Sequence, residues 1–146
     1  MARRILWAAA ATLALFVSAG CETQPTIAAG PCNAGVCKVT IQVVDCTRRD
    51  GFVVSPDLLE VRAPNRIEWE ITSPKYKFTA DGIDIKKNDG AFEDPKVIAG
   101  GRKFSWKDRH RDAPGYAAKV YNYAINVVHE DGTVTCGAFD PRISNI

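Results

Sequence analysis

The sequence predicts an all-β domain, an antiparallel Greek-key β-sandwich of seven or eight short strands. Three observations predict this fold class. Apolar and polar residues alternate with a period of two in several segments, and turn-forming Gly, Pro and Asp residues separate those segments. No segment shows the sustained apolar stripe of an amphipathic helix.

Four long segments each have one apolar and one polar face, which is the pattern of a half-buried strand. In one of them, Phe104 and Trp106 alternate with Lys103 and Ser105. The long segments are residues 37–43, 66–71, 103–106 and 121–127, and the shorter candidates are residues 58–62, 76–80, 82–85 and 133–138.

Turn chemistry defines the end of the domain. The Asp131-Gly132 pair lies between two strand patterns and predicts a β-hairpin. Asp140-Pro141 ends the last predicted strand, and Ile143 is expected to fold back over the open edge of the sandwich.

The first 20 residues have the layout of a secretory signal. Arg3 and Arg4 precede an apolar run at residues 5–17, and small residues follow it. As a helix this run would be about 20 Å long, which is too short for a hydrocarbon core of roughly 30 Å. Residues 1–20 are therefore predicted to be cleaved.

Ser18-Ala19-Gly20-Cys21 resembles the bacterial lipoprotein box, which prefers leucine at the position of Ser18. The resemblance implies that Cys21 becomes an acylated N-terminus and anchors the protein to a membrane. Glu22 stands where the family's inner-membrane retention signal has aspartate, so the outer membrane, facing the periplasm, is favoured. The alternative is cleavage after Ala19 and secretion as a soluble periplasmic protein.

Residues 21–36 form the predicted lipidated N-terminus and flexible tether, because they are rich in Pro, Thr, Ala and Gly. Residues 37–146 form the predicted sandwich domain. Removing Arg3 and Arg4 from the 19 basic side chains leaves 17, equal to the 17 acidic ones. This neutral balance argues against nucleic acid as a partner. The expected partners are the membrane, through the anchor, and an envelope protein or glycan.

Four cysteines follow Cys21, and an even count in an exported chain predicts two disulfides. They are Cys32, Cys37, Cys46 and Cys136, and they allow three pairings. The favoured pairing joins Cys46 to Cys136 and Cys32 to Cys37. A structural zinc site is disfavoured, because the spacings lack close cysteine pairs and no histidine lies near them.

From Cys37 onward, apolar and aromatic residues recur in a distinct order along the predicted strands. They are Pro56, Leu59, Val61, Ile67, Trp69, Tyr76, Phe78, Phe104, Trp106, Tyr121 and Tyr123. This order resembles a cupredoxin-like domain. An immunoglobulin-like sandwich, with Cys46, Trp69 and Cys136 in its core, is the alternative.

The ligands of type 1 copper, two imidazoles, a thiolate and a weak thioether, do not carry over. Lys75-Tyr76 stands where the family has its first histidine, and Ile125 where it has the cysteine. The single methionine is Met1, in the signal. His129 lies close to the second histidine position. The resemblance therefore implies a copper-free relative, and no cofactor is expected.

Residues 102–111 interleave basic and aromatic residues, a pattern that can bind phosphates or an acidic glycan. The alternative is a solvated strand and loop, since Phe104 and Trp106 are core candidates and neighbouring acids such as Glu93 neutralise the charges. The basic residues of this possible binding patch are Arg102, Lys103, Lys107, Arg109 and Arg111.

No catalytic site is predicted. Ser105, Asp108 and His110 lie too close together on one strand and its loop to converge as a triad, and none has a recognised motif context. The favoured function is a non-catalytic binding or structural module of the cell envelope. The alternative is weak metal binding, related to copper, through His129, His110 and carboxylates.

Overall fold

The computed structural model describes residues 32–110, 119–137 and 140–146, and within them the protein is all-β, with eleven strands and no α-helix. A 3₁₀ turn occupies Ala99–Gly101. The strands are β1 (Cys32–Asn33), β2 (Val36–Val43), β3 (Phe52–Ser55), β4 (Leu58–Val61), β5 (Asn65–Ile71), β6 (Tyr76–Ile85), β7 (Phe92–Ile98), β8 (Lys103–Asp108), β9 (Lys119–His129), β10 (Thr135–Gly137) and β11 (Arg142–Asn145).

The strands form two sheets that enclose one apolar core. The six-stranded sheet has the order β1-β2-β5-β8-β7, with β3 also paired to β2. The five-stranded sheet has the order β10-β9-β11-β4, with β6 also paired to β9. The predicted sandwich-like all-β class is therefore confirmed, but the described residues form eleven strands and not the predicted seven or eight.

Both sheets are mixed, so the prediction of an antiparallel sandwich was wrong in this respect. β2 runs parallel to β5, and β4 runs parallel to β11, while the other pairs are antiparallel. After β2, the chain forms β3 in the same sheet and then β4 in the other sheet. It then returns to the first sheet, where β5 lies beside β2 and runs parallel to it. Alternation of apolar residues defines the faces of a strand but not the direction of its neighbour.

The apolar face of each predicted long strand lines the core. Along β2, buried and exposed residues alternate strictly, and Ile41 is fully buried. Trp69 on β5 and Tyr123 on β9 are also fully buried, and their rings meet edge to face with centroids 5.4 Å apart. The two sheets are therefore joined through large aromatic side chains at the centre of the core.

Strand β6 merges two predicted strands, residues 76–80 and 82–85. Its pairing with β9 shifts register between Phe78 and Ile83, so the side chains that face the core change parity along the strand. A Cβ atom at Gly82 would lie 2.7 Å from the Phe78 Cβ atom, so this close approach requires glycine.

The described sheet begins at Cys32, within the predicted tether and five residues before the predicted domain boundary. β1 and β2 form a hairpin whose turn residues Ala34 and Gly35 have φ of 49° and 81°. Because residues 32–36 contain hardly any large apolar side chain, composition alone assigned them to the tether. Predictions at Cys21 and Arg111 lie outside the described residues.

The C-terminal segment is a full strand and not only a cover for the edge. β11 lies between β9 and β4, and Ile143 is completely buried. Its short sequence, with buried Ser144 and Asn145, hides this role because buried polar residues interrupt the apolar pattern.

Candidate functional site

The four described cysteines form the two disulfides Cys32–Cys37 and Cys46–Cys136, the pairing favoured from the sequence. Cys46 lies in the turn after β2 and Cys136 on β10, so this bridge joins the two sheets. Cys32 and Cys37 lie directly opposite each other on β1 and β2. One bridge therefore spans the sandwich, while the other braces a single hairpin.

The outer face of the six-stranded sheet holds most of the basic patch, and acidic neighbours neutralise it. The Lys103 Nζ atom lies 3.3 Å from the Glu70 carboxylate. Lys107 and Arg109 both contact Glu93, each at 2.8 Å. Lys107 and then Arg109 hold the pKa of Glu93 below its ordinary value. Among the described residues, this face therefore has paired charges of both signs and no concentrated positive field for an anionic ligand.

Arg102 has a structural role. Its guanidinium donates hydrogen bonds to the carbonyl oxygens of Ser73, Tyr76 and Ile71, at 2.6, 2.8 and 2.5 Å respectively. These carbonyls belong to the end of β5, the loop after it and the start of β6. Arg102 therefore stabilises the loop that connects β5 in one sheet to β6 in the other, and its guanidinium is not available for a ligand.

His110 and His129 lie at opposite ends of the sandwich. His110 Nε2 lies 3.0 Å from the carbonyl oxygen of Val61, close to the start of β9, whereas His129 ends β9. At about 3.3 Å per residue, the length of β9 separates the two imidazoles by roughly 30 Å. The structure does not bring them together as one metal site.

The imidazole of His129 lies against Asp131 and Tyr76. Its Nδ1 atom lies 2.8 Å from Asp131 Oδ1, and its ring meets the edge of Tyr76 with centroids 5.4 Å apart. The Thr133 hydroxyl and amide, followed by His129, hold the pKa of Asp131 well below its ordinary value. Across the described ranges, no group of three or more His, Cys, Asp or Glu side chains is arranged to hold a metal ion.

The side chains of Ser105 and Asp108 point to opposite sides of the six-stranded sheet. Ser105 accepts a hydrogen bond from Arg66 on the outer face, at 3.1 Å. Asp108 is completely buried, and its Oδ1 accepts from the His110 amide at 2.7 Å and from the Asn145 side chain at 3.2 Å. Asp108 thus ties the end of β8 to the C-terminal strand, and the three residues considered as a triad do not assemble.

An open groove of about 480 Å³ lies between β1 and β4. Its lining is mostly apolar and includes Cys32, Pro56 and Leu58, with Glu60 and Arg62 at its polar side. Its volume is within the range of small-molecule pockets. The groove was not predicted from the sequence. Its signal there is Leu58, an apolar residue at an outward position of the β4 alternation.

Among the described strands, β4 pairs only with β11, so its other edge is open beside this groove. Asp57 and Val61 accept hydrogen bonds from Arg142 and Ile146, on the β11 side. In a parallel ladder, alternate residues bond to one neighbour, so the amide and carbonyl groups of Leu58 and Glu60 point away from β11. Consistent with this direction, the backbone carbonyl oxygen of Glu60 lies 3.7 Å from Cys32 Sγ.

Two further findings bear on function. No helix in residues 32–110, 119–137 or 140–146 is long and apolar enough to cross a bilayer. The chain matches no protein-family model and no curated protein sequence.

Proposed function

We propose that this protein is a non-catalytic envelope lipoprotein, anchored through Cys21, whose sandwich binds an extended segment of an envelope protein. The observation that carries the proposal is the apolar groove beside the open backbone edge of β4. Such an edge offers hydrogen bonds to a peptide strand, and the adjacent groove offers a place for its side chains. The two disulfides support an exported location.

We further propose that the domain is a copper-free, cupredoxin-like Greek-key sandwich. Ile125, at the position compared with the family's cysteine, is completely buried in the core. Tyr76, compared with the first histidine, packs edge to face against His129. An aromatic ring and an aliphatic side chain supply no ligand for copper, so binding is favoured over electron transfer.

The anchor is tested by the intact mass of the mature protein from its native membrane, before and after reduction and after exposure to copper. We expect a triacylated chain beginning at Cys21, a gain of four hydrogens from its two disulfides on reduction, and no retained copper. A chain beginning at Gly20 without lipid would remove the anchor. Retained copper, lost in His129→Ala, would favour the metal-binding alternative.

The groove is tested by placing a photoreactive amino acid at position 58 or, as a matched control, at position 53. Both side chains are exposed, at 36% for Leu58 and 54% for Val53, but only Leu58 lines the groove. We expect a discrete protein adduct in the envelope from position 58 alone. The Glu60→Pro change should abolish the adduct, because it removes an amide at the open edge. Equal adducts from both positions would refute the groove as the binding site.

A further inference from the structure

We propose that Cys32–Cys37 is a thiol–disulfide exchange site, which a dithiol of the thioredoxin-like class reduces in the folded protein. Cys46–Cys136 remains oxidised under the same conditions. The proposal rests on the position of Cys32 at the open groove and on what each bridge holds together. It depends neither on the lipid anchor nor on the partner of the groove.

The two cysteines of the short bridge differ in access. Cys32 is half-buried and lines the open groove, whereas Cys37 is completely buried under the sheet. Cys32 Sγ lies 3.7 Å from the backbone carbonyl oxygen of Glu60, at the gap between the two sheets. An attacking thiolate can therefore approach the Cys32 sulfur from the groove, and exchange requires such access.

The hairpin does not need the bridge to hold β2 in place. β2 pairs with β5 over six residues and with β3 over four. The Arg66 amide also donates to the Gly35 carbonyl at 2.9 Å, which holds the turn. Only β1, two residues long, depends on the disulfide. Reduction therefore frees β1, at the edge of its sheet, and leaves the pairing of the other strands unchanged.

The consequence is a low effective concentration of the two thiols after reduction. A two-residue strand at the edge of the described fold can separate from β2, and Cys32 then moves away from Cys37. A pair of thiols that can separate re-forms its disulfide less readily, so its reduction potential is higher. The short bridge should thus be the more reducible of the two.

The long bridge also has one half-buried cysteine, Cys46, and one buried cysteine, Cys136, but the fold around it is different. Cys136 is 1% exposed on β10, which the Asp131-Gly132 hairpin connects to β9. Cys46 lies in a turn closed by hydrogen bonds from the Val44 and Asp45 amides to the Gly51 carbonyl, at 2.8 and 3.1 Å. Both sulfurs stay juxtaposed by the surrounding fold, which keeps their effective concentration high after reduction.

The exchange balances in two steps. A thiolate of the dithiol attacks Cys32 Sγ and forms a mixed disulfide, while the Cys37 sulfur leaves with the bonding pair and takes up a proton. The second thiol of the reductant then attacks the reductant sulfur that is bonded to Cys32. This step closes the disulfide of the reductant and releases Cys32 as a thiol. The protein gains two hydrogens, and the dithiol becomes a disulfide.

The test uses the full mature chain, incubated with a graded series of dithiothreitol, alkylated, and mapped by peptide mass spectrometry. We expect Cys32 and Cys37 to be alkylated at reductant levels that leave Cys46 and Cys136 oxidised. Near-ultraviolet circular dichroism should remain that of the folded protein. Opening of both bridges together, earlier opening of Cys46–Cys136, or resistance of both until unfolding would overturn the proposal.

A matched pair of variants tests which sulfur is attacked. Cys37→Ser leaves a thiol at the groove, and Cys32→Ser leaves a thiol in the core. We expect the Cys32 thiol to react with a water-soluble aromatic disulfide at least roughly tenfold faster, because reactivity follows access. Equal rates in the two folded variants would contradict attack at Cys32.

Discussion

At the scale of single residues, the centre of the core holds two polar atoms among aromatic rings. Trp69 Nε1 and the Tyr123 hydroxyl are buried, and neither has a hydrogen-bond partner of good geometry among the described residues. Burial raises the pKa of Tyr123 well above its ordinary value, and the neighbouring Trp69 side chain opposes this shift only in part. The Tyr123 hydroxyl therefore carries a desolvation cost in the folded state.

We expect Tyr123→Phe to raise the free energy of unfolding by about 1 kcal/mol, because it removes a buried polar group that lacks a good partner. Urea denaturation measures the change. The matched control is Tyr121→Phe, whose hydroxyl donates to Asp89 at 3.3 Å and should lower stability slightly. A clear loss of stability in Tyr123→Phe would show that this hydroxyl is well satisfied in solution.

Arg102→Lys should lower the free energy of unfolding by about 2 kcal/mol. A lysine cannot reproduce the planar donor group that reaches the Ser73, Tyr76 and Ile71 carbonyls. Lys103→Ala is the control, because its half-exposed contact with Glu70 should contribute about 0.5 kcal/mol. Equal losses in thermal or urea unfolding would refute a special role for Arg102.

At the scale of elements, the sequence predicted the long strands that have one apolar face and missed short or irregular ones. β3 was missed although Phe52 and Val54 are buried, because its alternation covers only four residues. β2, β5, β8 and β9 alternate clearly, and each is present. β7 was missed because it contains Pro95 and has only one buried residue, Phe92, on an exposed edge. Because β7 lies at the edge of its sheet and is largely exposed, it does not need an apolar face, and its sequence shows no alternation of apolar and polar residues.

The candidate site was less predictable than the strands, because it depends on which strands become neighbours. The Asp131-Gly132 hairpin and the cysteine pairing were anticipated from local spacing and export chemistry. The partner of Lys103 is Glu70, on a strand distant in sequence, and the groove forms where β1 meets β4. No local pattern encodes such contacts.

The hairpin between β9 and β10 should make the free energy of unfolding depend on pH in the acidic range. The Thr133 hydroxyl and amide, followed by His129, lower the pKa of Asp131, so folding favours its charged form. This contribution is complete above the unfolded pKa of about 3.9 and is lost as the pH falls through the lower folded pKa.

The measurement is the free energy of unfolding between about pH 5 and pH 2 for the native protein and Asp131→Asn. The side-chain amide of this variant keeps an oxygen for Thr133 but does not titrate, so the variant should lose part of the acid dependence. Direct NMR titration of Asp131 is the control. An ordinary carboxyl pKa there would contradict the expected pH profile.

At the scale of the whole molecule, the two disulfides should contribute unequally to stability. The bridge between Cys46 and Cys136 spans a sequence separation of 90, which corresponds to roughly 4 kcal/mol in the chain-entropy model. The bridge between Cys32 and Cys37 spans only 5, which corresponds to roughly 2 kcal/mol.

We therefore expect the double variant Cys46→Ala/Cys136→Ala to lose about twice the unfolding free energy lost by Cys32→Ala/Cys37→Ala. Guanidinium denaturation of both variants and of the native protein measures this ratio. A larger loss for the short bridge would mean that β1 is integral to the core, and it would also weaken the case for exchange at Cys32.

The exposed edge of strand β7 affects how copies of the protein associate at high concentration. Its pairing with β8 shifts register between Glu93 and Lys96, Asp94 has a φ of 61°, and Pro95 lacks an amide hydrogen. A second molecule that approaches this edge meets an irregular backbone and charged side chains, so it cannot continue the ladder. At high local density, this edge resists the stacking of sheets that leads to insoluble fibres.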